Sequence, residues 1–298
     1  MGRARPGPYV SCLMTKSLLI TGASTGIGRA CAIAFAREGW TVFAGVRRES
    51  DGEGLRAEGT GRIEWLLLDV TDPSTIASAR SRIEAALDGR GLDALVNNAG
   101  IAIAAPVEFV PRADLRSQFD VNVFGLVDVT QTFIPLLRKS RGRIVNIGSI
   151  AGRVTTPLTS PYCASKHAVE AITDALRLEL EPWGIQVSVI EPGVVATPIW
   201  EKGTAQMQER LATMPPEALQ LYDPLIRAIA SLVKHAPRRA VAPEAVVDAV
   251  RRALESRRPR PRYVVGRDAK VRLFLQTLLP RRWMDAIVHR FLRSAAAH

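Results

Sequence analysis

Short apolar runs alternate with helix-periodic segments along most of the chain. Apolar runs of about four to eight residues between turn signals are typical of strands that are buried on both faces of a sheet. The predicted strands are KSLLIT (16–21), WTVFAGV (40–46), IEWLLLDV (63–70), LDALVNNAG (92–100), GRIVNIGS (142–149), IQVSVIEPG (185–193) and PRYVVG (261–266). Helical patterns fall between them, near 26–39, 74–88, 112–138 and 162–182. This alternation predicts an α/β fold, a doubly wound parallel sheet of about seven strands.

The two ends of the chain depart from this pattern. Residues 1–14 are basic and lack the apolar stretch of a secretion signal, so we expect a flexible N-terminal arm before a single domain over 15–266. Residues 267–298 form a basic amphipathic extension that Pro280 interrupts. Its second half places one apolar stripe on a helix: Trp283, Met284, Ile287, Val288, Phe291 and Leu292.

Charge is concentrated near the C-terminus. The net charge is +11, and the segment from Lys234 to His298 contains 16 Lys/Arg against 5 Asp/Glu. Two interpretations of this basic segment remain open, a solvated cationic tail and a surface for an anionic partner such as a membrane. A nucleic-acid partner is not expected, because no nucleic-acid-binding motif or interleaved aromatic platform is present.

Cysteine and histidine usage excludes two classes of protein. The three cysteines, Cys12, Cys31 and Cys163, do not form a disulfide framework and fit a reducing, cytoplasmic compartment. The four histidines have no metal-ligand spacing with a cysteine, so no metal site is expected. Cys163 is interpreted as a small buried residue, since no base partner for a nucleophile is evident.

A glycine-rich turn, TGASTGIG (21–28), joins the first strand to the first helix. Glycines allow a tight turn and close approach of a ligand, and the helix N-terminus offers free N–H groups to a phosphate. In this position, the turn predicts a dinucleotide site.

The motifs TGASTGIG, NNAG (97–100), Asn122, Ser149, Tyr162-x-x-x-Lys166 and PG (192–193) occur in the order found in the short-chain dehydrogenase/reductase family. The resemblance covers roughly residues 15–200, and it implies a Rossmann-like sheet and hydride transfer between NAD(P) and an alcohol or carbonyl. The C-terminal extension resembles that of hydroxysteroid- and retinol-type members. Residues 197–240, where the strand–helix pattern loosens, would form a small helical substrate lid.

The resemblance implies a catalytic role for four residues. Tyr162 would be the acid/base, and Lys166 would lower the pKa of its phenol and hold the nicotinamide ribose. Ser149 would hydrogen-bond the substrate oxygen, and Asn122 would support Lys166 through a water-linked proton path.

The same resemblance implies a set of residues that would bind the cofactor. These are Gly22, Ser24, Thr25, Gly26, Ile27, Gly28, Arg47, Asp69, Val70, Asn98, Ala99, Gly100, Tyr162, Lys166, Pro192, Gly193, Val195 and Thr197.

The end of the second strand bears on cofactor choice. NAD-preferring relatives place an acid there to hold the ribose hydroxyls, and the aligned residue here is Val46, followed by Arg47 and Arg48. A guanidinium suits a 2′-phosphate, so NADP is favoured over NAD. Asp51 keeps NAD open, because a shifted loop would bring its carboxylate to the ribose.

The apolar character of residues 198–233 favours an apolar alcohol or ketone, such as a steroid, retinoid or other lipid-like molecule. The alternatives are a 3-oxoacyl-type or small-ketone reductase, and a regulatory protein that senses the cofactor without turnover. Family members commonly pair through the helices that contain Asn122 and Tyr162, so a homodimer or homotetramer is expected. The protein would be cytoplasmic, with peripheral membrane association through the C-terminal tail as a further alternative.

Overall fold

The seven predicted strands form one parallel sheet. The computed structural model describes residues 15–58, 61–197, 209, 212–235 and 240–296. The strands are β1 (Ser17–Ile20), β2 (Thr41–Val46), β3 (Ile63–Leu67), β4 (Ala94–Asn97), β5 (Arg143–Ile147), β6 (Gln186–Pro192) and β7 (Arg262–Val265), in the order β3-β2-β1-β4-β5-β6-β7. Every neighbouring pair is parallel, which confirms the predicted fold class.

Helices connect the strands and cover both faces of the sheet. In chain order they are α1 (Gly26–Arg37), α2 (Glu49–Glu58), α3 (Pro73–Leu87), α4 (Arg112–Phe119), α5 (Gly125–Ser140), α6 (Ser160–Glu179), α7 (Pro216–His235), α8 (Pro243–Glu255), α9 (Arg267–Leu278) and α10 (Arg281–Ala296). A π-helical turn, Asp120–Phe124, joins α4 to α5, so the predicted helix near 112–138 is one continuous rod with a local change of pitch.

Alternate residues of each strand enter two separate cores. On β1, Leu18 and Ile20 belong to the core beneath α1 and α8, whereas Leu19 belongs to the core beneath α3 and α5. Strand side chains alternate between faces, so a strand that is buried on both sides must be apolar throughout. This requirement explains the continuous apolar runs in the sequence.

The strand order places a topological switch beside β1. The chain runs from β1 outward to β2 and β3, then returns to β4 on the other side of β1. In such sheets, ligands bind outside the carboxyl ends of the strands at the point where the order reverses. The glycine-rich turn follows β1, and NNAG closes β4, so the topology brings both motifs to this crevice.

A chain of polar side chains crosses the buried sheet between β4 and β5. Asn97 Nδ2 donates to Thr130 Oγ1 and to Asn146 Oδ1, each at 2.9 Å. Asn146 Nδ2 donates in turn to Thr173 Oγ1 at 2.8 Å. Because unpaired polar groups are costly in a core, these bonds fix how α5 and α6 sit against the two strands.

Most strands end one to three residues earlier than predicted. Strand β3 ends at Leu67 and β5 ends at Ile147, so Asp69 and Ser149 lie two residues beyond their strands rather than at the strand ends. The main chain is free of the sheet there, and both residues are in the turns that border the crevice.

In the part of the chain that the structure describes after β6, α7, α9 and α10 accompany α8. Helices α7 and α10 pack together, and Leu292 and Val288 of α10 lie in a small apolar cluster with Ile229 of α7 and with Leu158. Trp283 and Ile287 of the same predicted stripe are exposed. Most of 198–211 in the predicted lid, and the N-terminal arm, lie outside the described residues.

Candidate active site

The glycine-rich turn bends tightly against the NNAG segment. Gly26 has φ +59°, a conformation that other residues rarely adopt. A Cβ on Gly28 would stand 2.3 Å from Gly22 O and 2.4 Å from Asn98 Nδ2, so this position admits only glycine. Thr25, the residue before α1, is extended and makes no side-chain cap, which leaves the first N–H groups of α1 for another acceptor.

NNAG is held to the glycine-rich turn by hydrogen bonds. Asn98 Nδ2 donates to the carbonyl oxygens of Thr21 and Gly22 at 2.9 and 3.0 Å. Thr21 Oγ1 accepts from the main-chain N–H groups of Asn98 and Ala99, each at 3.0 Å. The two predicted cofactor segments therefore form one rigid wall, in which Ala99 and the exposed Gly100 continue from β4.

Asn122 lies in the π-helical turn and is almost fully buried. Its Oδ1 accepts from Ile101 N at 2.8 Å, and its Nδ2 donates to Ile101 O and to Ser165 Oγ, each at 3.0 Å. Ser165 Oγ donates to Tyr162 O at 2.8 Å. Asn122 thus ties the segment after NNAG to the first turns of α6, where Tyr162 and Lys166 lie.

Tyr162 and Ser149 meet at the mouth of this region. The Tyr162 side chain is half-buried, and its phenol lies beside the Ser149 side chain. Burial raises the pKa of the Tyr162 phenol, and the neighbouring Ser149 hydroxyl opposes this shift in part. Ser149 Oγ also accepts from Ala151 N at 3.1 Å, which fixes the direction of the hydroxyl.

Lys166 is buried one helical turn after Tyr162. Its Nζ donates to Ile147 O at 2.7 Å and lies 5.9 Å from the centroid of the Tyr162 ring. Burial lowers the pKa of Lys166 to about 8, while the negative charge of Glu170 acts in the opposite direction. The ammonium is therefore close enough to the phenol to favour its ionised form, and it loses its proton near pH 8, well below the usual range for a lysine.

The segment after β6 returns to the glycine-rich turn. A Cβ atom on Gly26 would stand 3.3 Å from Thr197 Cβ, so these two predicted cofactor residues are neighbours. Pro192 ends β6, and Val195 forms a parallel bridge with Val241.

Gly193 fixes the start of this segment. Its N–H donates to Val265 O at 2.8 Å, and a Cβ there would stand 2.7 Å from the Asp268 carboxylate, so α9 packs directly against the segment.

The remaining predicted cofactor residues border the same crevice. Arg47 is exposed immediately after β2, and Val46 is buried at the strand end. Asp69 Oδ1 accepts from Thr71 N and Thr71 Oγ1, at 2.9 and 2.7 Å, and Val70 packs against Gly125. Ser24 and Ile27 belong to the glycine-rich turn itself, whereas Asp51 lies in the first turn of α2.

Two groups of supporting residues were not predicted from the sequence. Gln118 is fully buried, accepts from Ile103 N at 2.8 Å and donates to Ile101 O at 2.7 Å, and so holds the same segment as Asn122. Its signal was a glutamine four residues before Asn122 on one helix. Glu170 is buried one helical turn after Lys166, where its charge acts on the lysine, and the buried Glu191 is a neighbour of Glu170. The signal for Glu170 was its position four residues after the lysine.

A cavity of about 600 Å³ lies elsewhere beside α6. The α6 residues that line it are spaced three and four apart and form one helix face: Ser160, Cys163, Ala164 and His167. Tyr162 and Lys166 project from a different face of the helix, so this cavity is separate from the candidate active site. Asp285, Val288 and His289 of α10 close its far side.

Comparison with known proteins identifies relatives of the whole chain. The family model described as short chain dehydrogenase matches residues 16–208. Retinol dehydrogenase 7 of Rattus norvegicus is 36% identical, over 96% of this chain and 91% of the relative. The 11-beta-hydroxysteroid dehydrogenase type 2 of Oryctolagus cuniculus is 38% identical, over 94% of this chain and 70% of the relative.

Similarity extends to solved structures. A short chain dehydrogenase from Burkholderia cenocepacia J2315, solved in complex with NADP, has a TM-score of 0.69 and 27% identity. The match covers 93% of this chain and 98% of that chain.

The lowered pKa of Lys166 leads to a prediction for the cofactor-free protein. The folded state releases the lysine proton near pH 8, whereas the unfolded chain holds it to about pH 10.5. The unfavourable burial of the ammonium is therefore relieved as pH rises through this window. Between pH 7 and 9.5 the free energy of unfolding of the wild type should rise by about 2 kcal/mol relative to Lys166→Met.

Urea unfolding at the two pH values measures this difference. Lys139→Met is the matched control, because Lys139 is half-exposed and pairs with Glu84, and its difference from wild type should not depend on pH in this way. A constant difference between the wild type and Lys166→Met would show that Lys166 titrates at its ordinary pKa.

Proposed function

This chain belongs to the short-chain dehydrogenase family, and on that premise we propose that it interconverts an alcohol and a carbonyl on an apolar substrate, with NADP as cofactor and Tyr162 as acid/base. One observation supports this most directly. The Tyr162 phenol lies beside the Ser149 side chain, and the Lys166 ammonium is 5.9 Å from the centroid of the Tyr162 ring. A proton donor, a hydroxyl that binds oxygen and a fixed positive charge are the groups that carbonyl reduction requires.

Each catalytic residue has a separate part in this proposal. In reduction, Tyr162 donates its proton to the substrate oxygen, and Ser149 donates a hydrogen bond to the same atom. Lys166 stabilises the phenolate that remains. Asn122 holds Ser165 and the segment at Ile101, and so positions the first turns of α6. In oxidation the proton moves in the opposite direction.

The crevice fits a dinucleotide with phosphate groups. The uncapped N-terminus of α1 and the glycine-lined turn suit a pyrophosphate, and Thr197 closes over the turn. Bound NADP would supply or accept the hydride. Arg47 would hold the 2′-phosphate, because Val46 leaves no acid at the end of β2 to bind the ribose hydroxyls.

An apolar substrate is supported by the chain around Tyr162. The segment after NNAG, IAIAA (101–105), borders the site, and Ala105 N donates to Leu158 O at 2.8 Å. Leu158 in turn lies in the apolar cluster of α7 and α10. Relatives whose names specify retinol and a hydroxysteroid support the same substrate class.

Self-association of the chain stays a prediction. The structure adds two exposed apolar side chains that such an interface would cover. Phe124 and Leu178 are 56% and 62% exposed, on the two helices through which pairing is expected. Paired subunits would cover both side chains, and sedimentation velocity tests this, since a monomer at micromolar concentration would contradict it.

We also propose a peripheral contact with anionic membranes. The C-terminal apolar surface consists of exposed side chains on α9 and α10, namely Val271, Phe274, Leu278, Trp283 and Ile287. Arg267, Lys270 and Arg281 are exposed near them along the chain. Among the described residues, no helix is both long and apolar enough to cross a bilayer. Apolar insertion and Coulomb attraction together are the physical basis of such a contact.

We predict that Tyr162→Phe abolishes turnover with little effect on cofactor affinity. The substitution removes one oxygen, and loss of general acid catalysis should lower kcat about a hundredfold or more. A cofactor-consumption screen over steroid, retinoid, fatty-acyl and small aliphatic ketones identifies the substrate, and kcat of the variant is then compared with that of the wild type.

Lys166→Ala should weaken cofactor binding and also lower kcat, because Lys166 has two roles. Near-native kcat in Tyr162→Phe would refute the role of Tyr162, and turnover confined to small ketones would refute the substrate class.

We predict that Arg47 sets a preference for NADP. Arg47→Asp removes a cation and adds an anion, so the ratio of the Kd for NADP to that for NAD should rise about tenfold or more. Isothermal titration measures both constants without a substrate. Arg56→Asp, an equal charge change at the far end of α2, should leave the ratio unchanged. Equal affinity of the wild type for both cofactors would contradict the proposal and direct attention to Asp51.

We predict that the full chain binds anionic vesicles and releases them as salt increases. Phe274→Asp together with Trp283→Asp should abolish co-sedimentation with phosphatidylserine-containing vesicles. Val107→Asp is the control, because Val107 is 73% exposed on a different part of the chain. Equal binding by wild type and double variant, or no binding by wild type, would exclude this surface as a membrane contact.

A further inference from the structure

A buried glutamate lies directly beneath the catalytic lysine. Glu170 is 7% exposed and follows Lys166 by one turn of α6. A Cβ atom on Gly148 would stand 3.0 Å from Glu170 Oε1, and a Cβ atom on Gly152 would stand 2.9 Å from Glu170 Cγ. The turn that contains Ser149 therefore wraps closely around the Glu170 side chain, and glycines on both sides of Ser149 make this possible.

A second buried carboxyl group faces Glu170 from the sheet. Glu191 of β6 is completely buried, and Arg262 Nε lies 3.2 Å from Glu170 Oε2 and 3.3 Å from Glu191 Oε1, so the two carboxyl groups are close neighbours. Within the described residues, the buried Glu170 Oε1 and both carboxyl oxygens of Glu191 have no hydrogen-bond partner. Two carboxyl groups can share a hydrogen bond only if one of them holds a proton, and such a proton would give these oxygens a partner.

Charged groups from several elements surround the pair. Arg262 of β7 reaches Glu170 Oε2 at 3.2 Å and Glu191 Oε1 at 3.3 Å, and it also contacts Asp174 of α6. Arg153, from the turn after β5, lies 3.5 Å from Glu191 Oε2. Both arginines are partly exposed, so solvent screens their charges more than those of the two glutamates.

These surroundings favour a protonated Glu170. Burial and the neighbouring charge of Glu191 raise the pKa of Glu170 to about 7, and Arg262 opposes this shift in part. The net charge beside Lys166 then changes near physiological pH, when the pair loses its proton.

We propose that Glu170 and Glu191 share one proton beneath Lys166, and that Glu170 is a positioning residue that sets the charge of the lysine. This inference rests on the proposed function for its catalytic consequence. Loss of the shared proton raises the negative charge of the pair from one to two, one turn from the Lys166 ammonium, and so favours the protonated lysine. The phenol of Tyr162 then retains its positive neighbour over a wider range of pH.

The first test measures the shared proton in the cofactor-free protein. Between about pH 4.5 and 7 the folded state holds a proton that the unfolded chain has released, so the resulting stability is present at pH 5 and lost by pH 8. Over this interval the folding equilibrium constant of the wild type should fall roughly fifty- to a hundredfold more than that of Glu170→Gln. Urea unfolding of both proteins gives these constants.

Two further variants make the test specific. Glu191→Gln removes the like charge and should also lose most of this pH dependence. Glu84→Gln is the matched control, since Glu84 is exposed and paired with Arg80 and Lys139, and it should behave as wild type. Unchanged pH dependence in Glu170→Gln would overturn the protonated pair. Full pH dependence in Glu191→Gln would show that Glu170 holds its proton alone and would overturn the sharing.

Infrared spectroscopy provides a check that needs no unfolding. A protonated carboxyl C=O band should be present in the wild type at about pH 6, weaken by pH 8, and be missing from Glu170→Gln. Its absence from the wild type would overturn the proposal.

The second test measures the effect on Lys166. Without the charge of Glu170, the pKa of Lys166 should fall below 8. The difference in unfolding free energy between Glu170→Gln and the double variant Glu170→Gln/Lys166→Met should therefore begin to change at a lower pH than the difference between wild type and Lys166→Met. The alkaline limb of kcat should move by about one pH unit in the same direction, with KM unchanged. If Tyr162→Phe stays active, the proposed function fails while the stability results stand. If Tyr162→Phe is inactive and Glu170→Gln keeps both wild-type profiles, the positioning role is overturned.

Discussion

A lysine ammonium held under the carboxyl ends of β5 and β6 is the constraint to which the surrounding structure is adapted. Lys166 is 6% exposed, and a buried charge is tolerated only with compensating partners. Two of these partners, the Tyr162 ring and Glu170, lie on α6 with the lysine, and the third is the carbonyl of Ile147 at the end of β5. The docking of α6 against β5 must therefore be accurate before the lysine can be accommodated.

Local spacing allowed the sequence to predict much of this arrangement. A Tyr and a Lys four residues apart must share a helix face, and a glycine-rich turn between strand and helix must lie at the carboxyl edge of the sheet. The alternation of apolar runs predicted the parallel sheet and its seven strands, whereas the order of the strands comes from the structure. Spacing did not predict which residues would meet across the fold. Examples are the contacts of Gln118 with Ile103, of Arg262 with Glu170 and of Asp268 with Gly193. Each contact depends on how separate elements are placed in the fold, which periodicity does not specify.

The C-terminal extension shows a different reason for incomplete prediction. Periodicity placed a broad apolar stripe on α10, but the width of a stripe does not reveal how much of it a neighbouring helix covers. Helix α7 covers only the side that includes Val288 and Leu292, while Trp283 and Ile287 stay in solvent. One side of this helix therefore packs within the protein, while the other side is open to contact with another surface.

The π-helical turn at Asp120–Phe124 has a consequence for how the family can vary in length. A π-turn contains one residue more than the α-helical turn it replaces, and one residue corresponds to about 100° of rotation along a helix. If one residue of this turn were deleted, Val129 and Phe133 would still anchor α5 in the core. Helix α4 would then be rotated, and Gln118 would lose its hydrogen bonds to Ile101 and Ile103. Insertions and deletions that the rod tolerates at its ends would therefore be selected against here, in the middle of an otherwise regular helix.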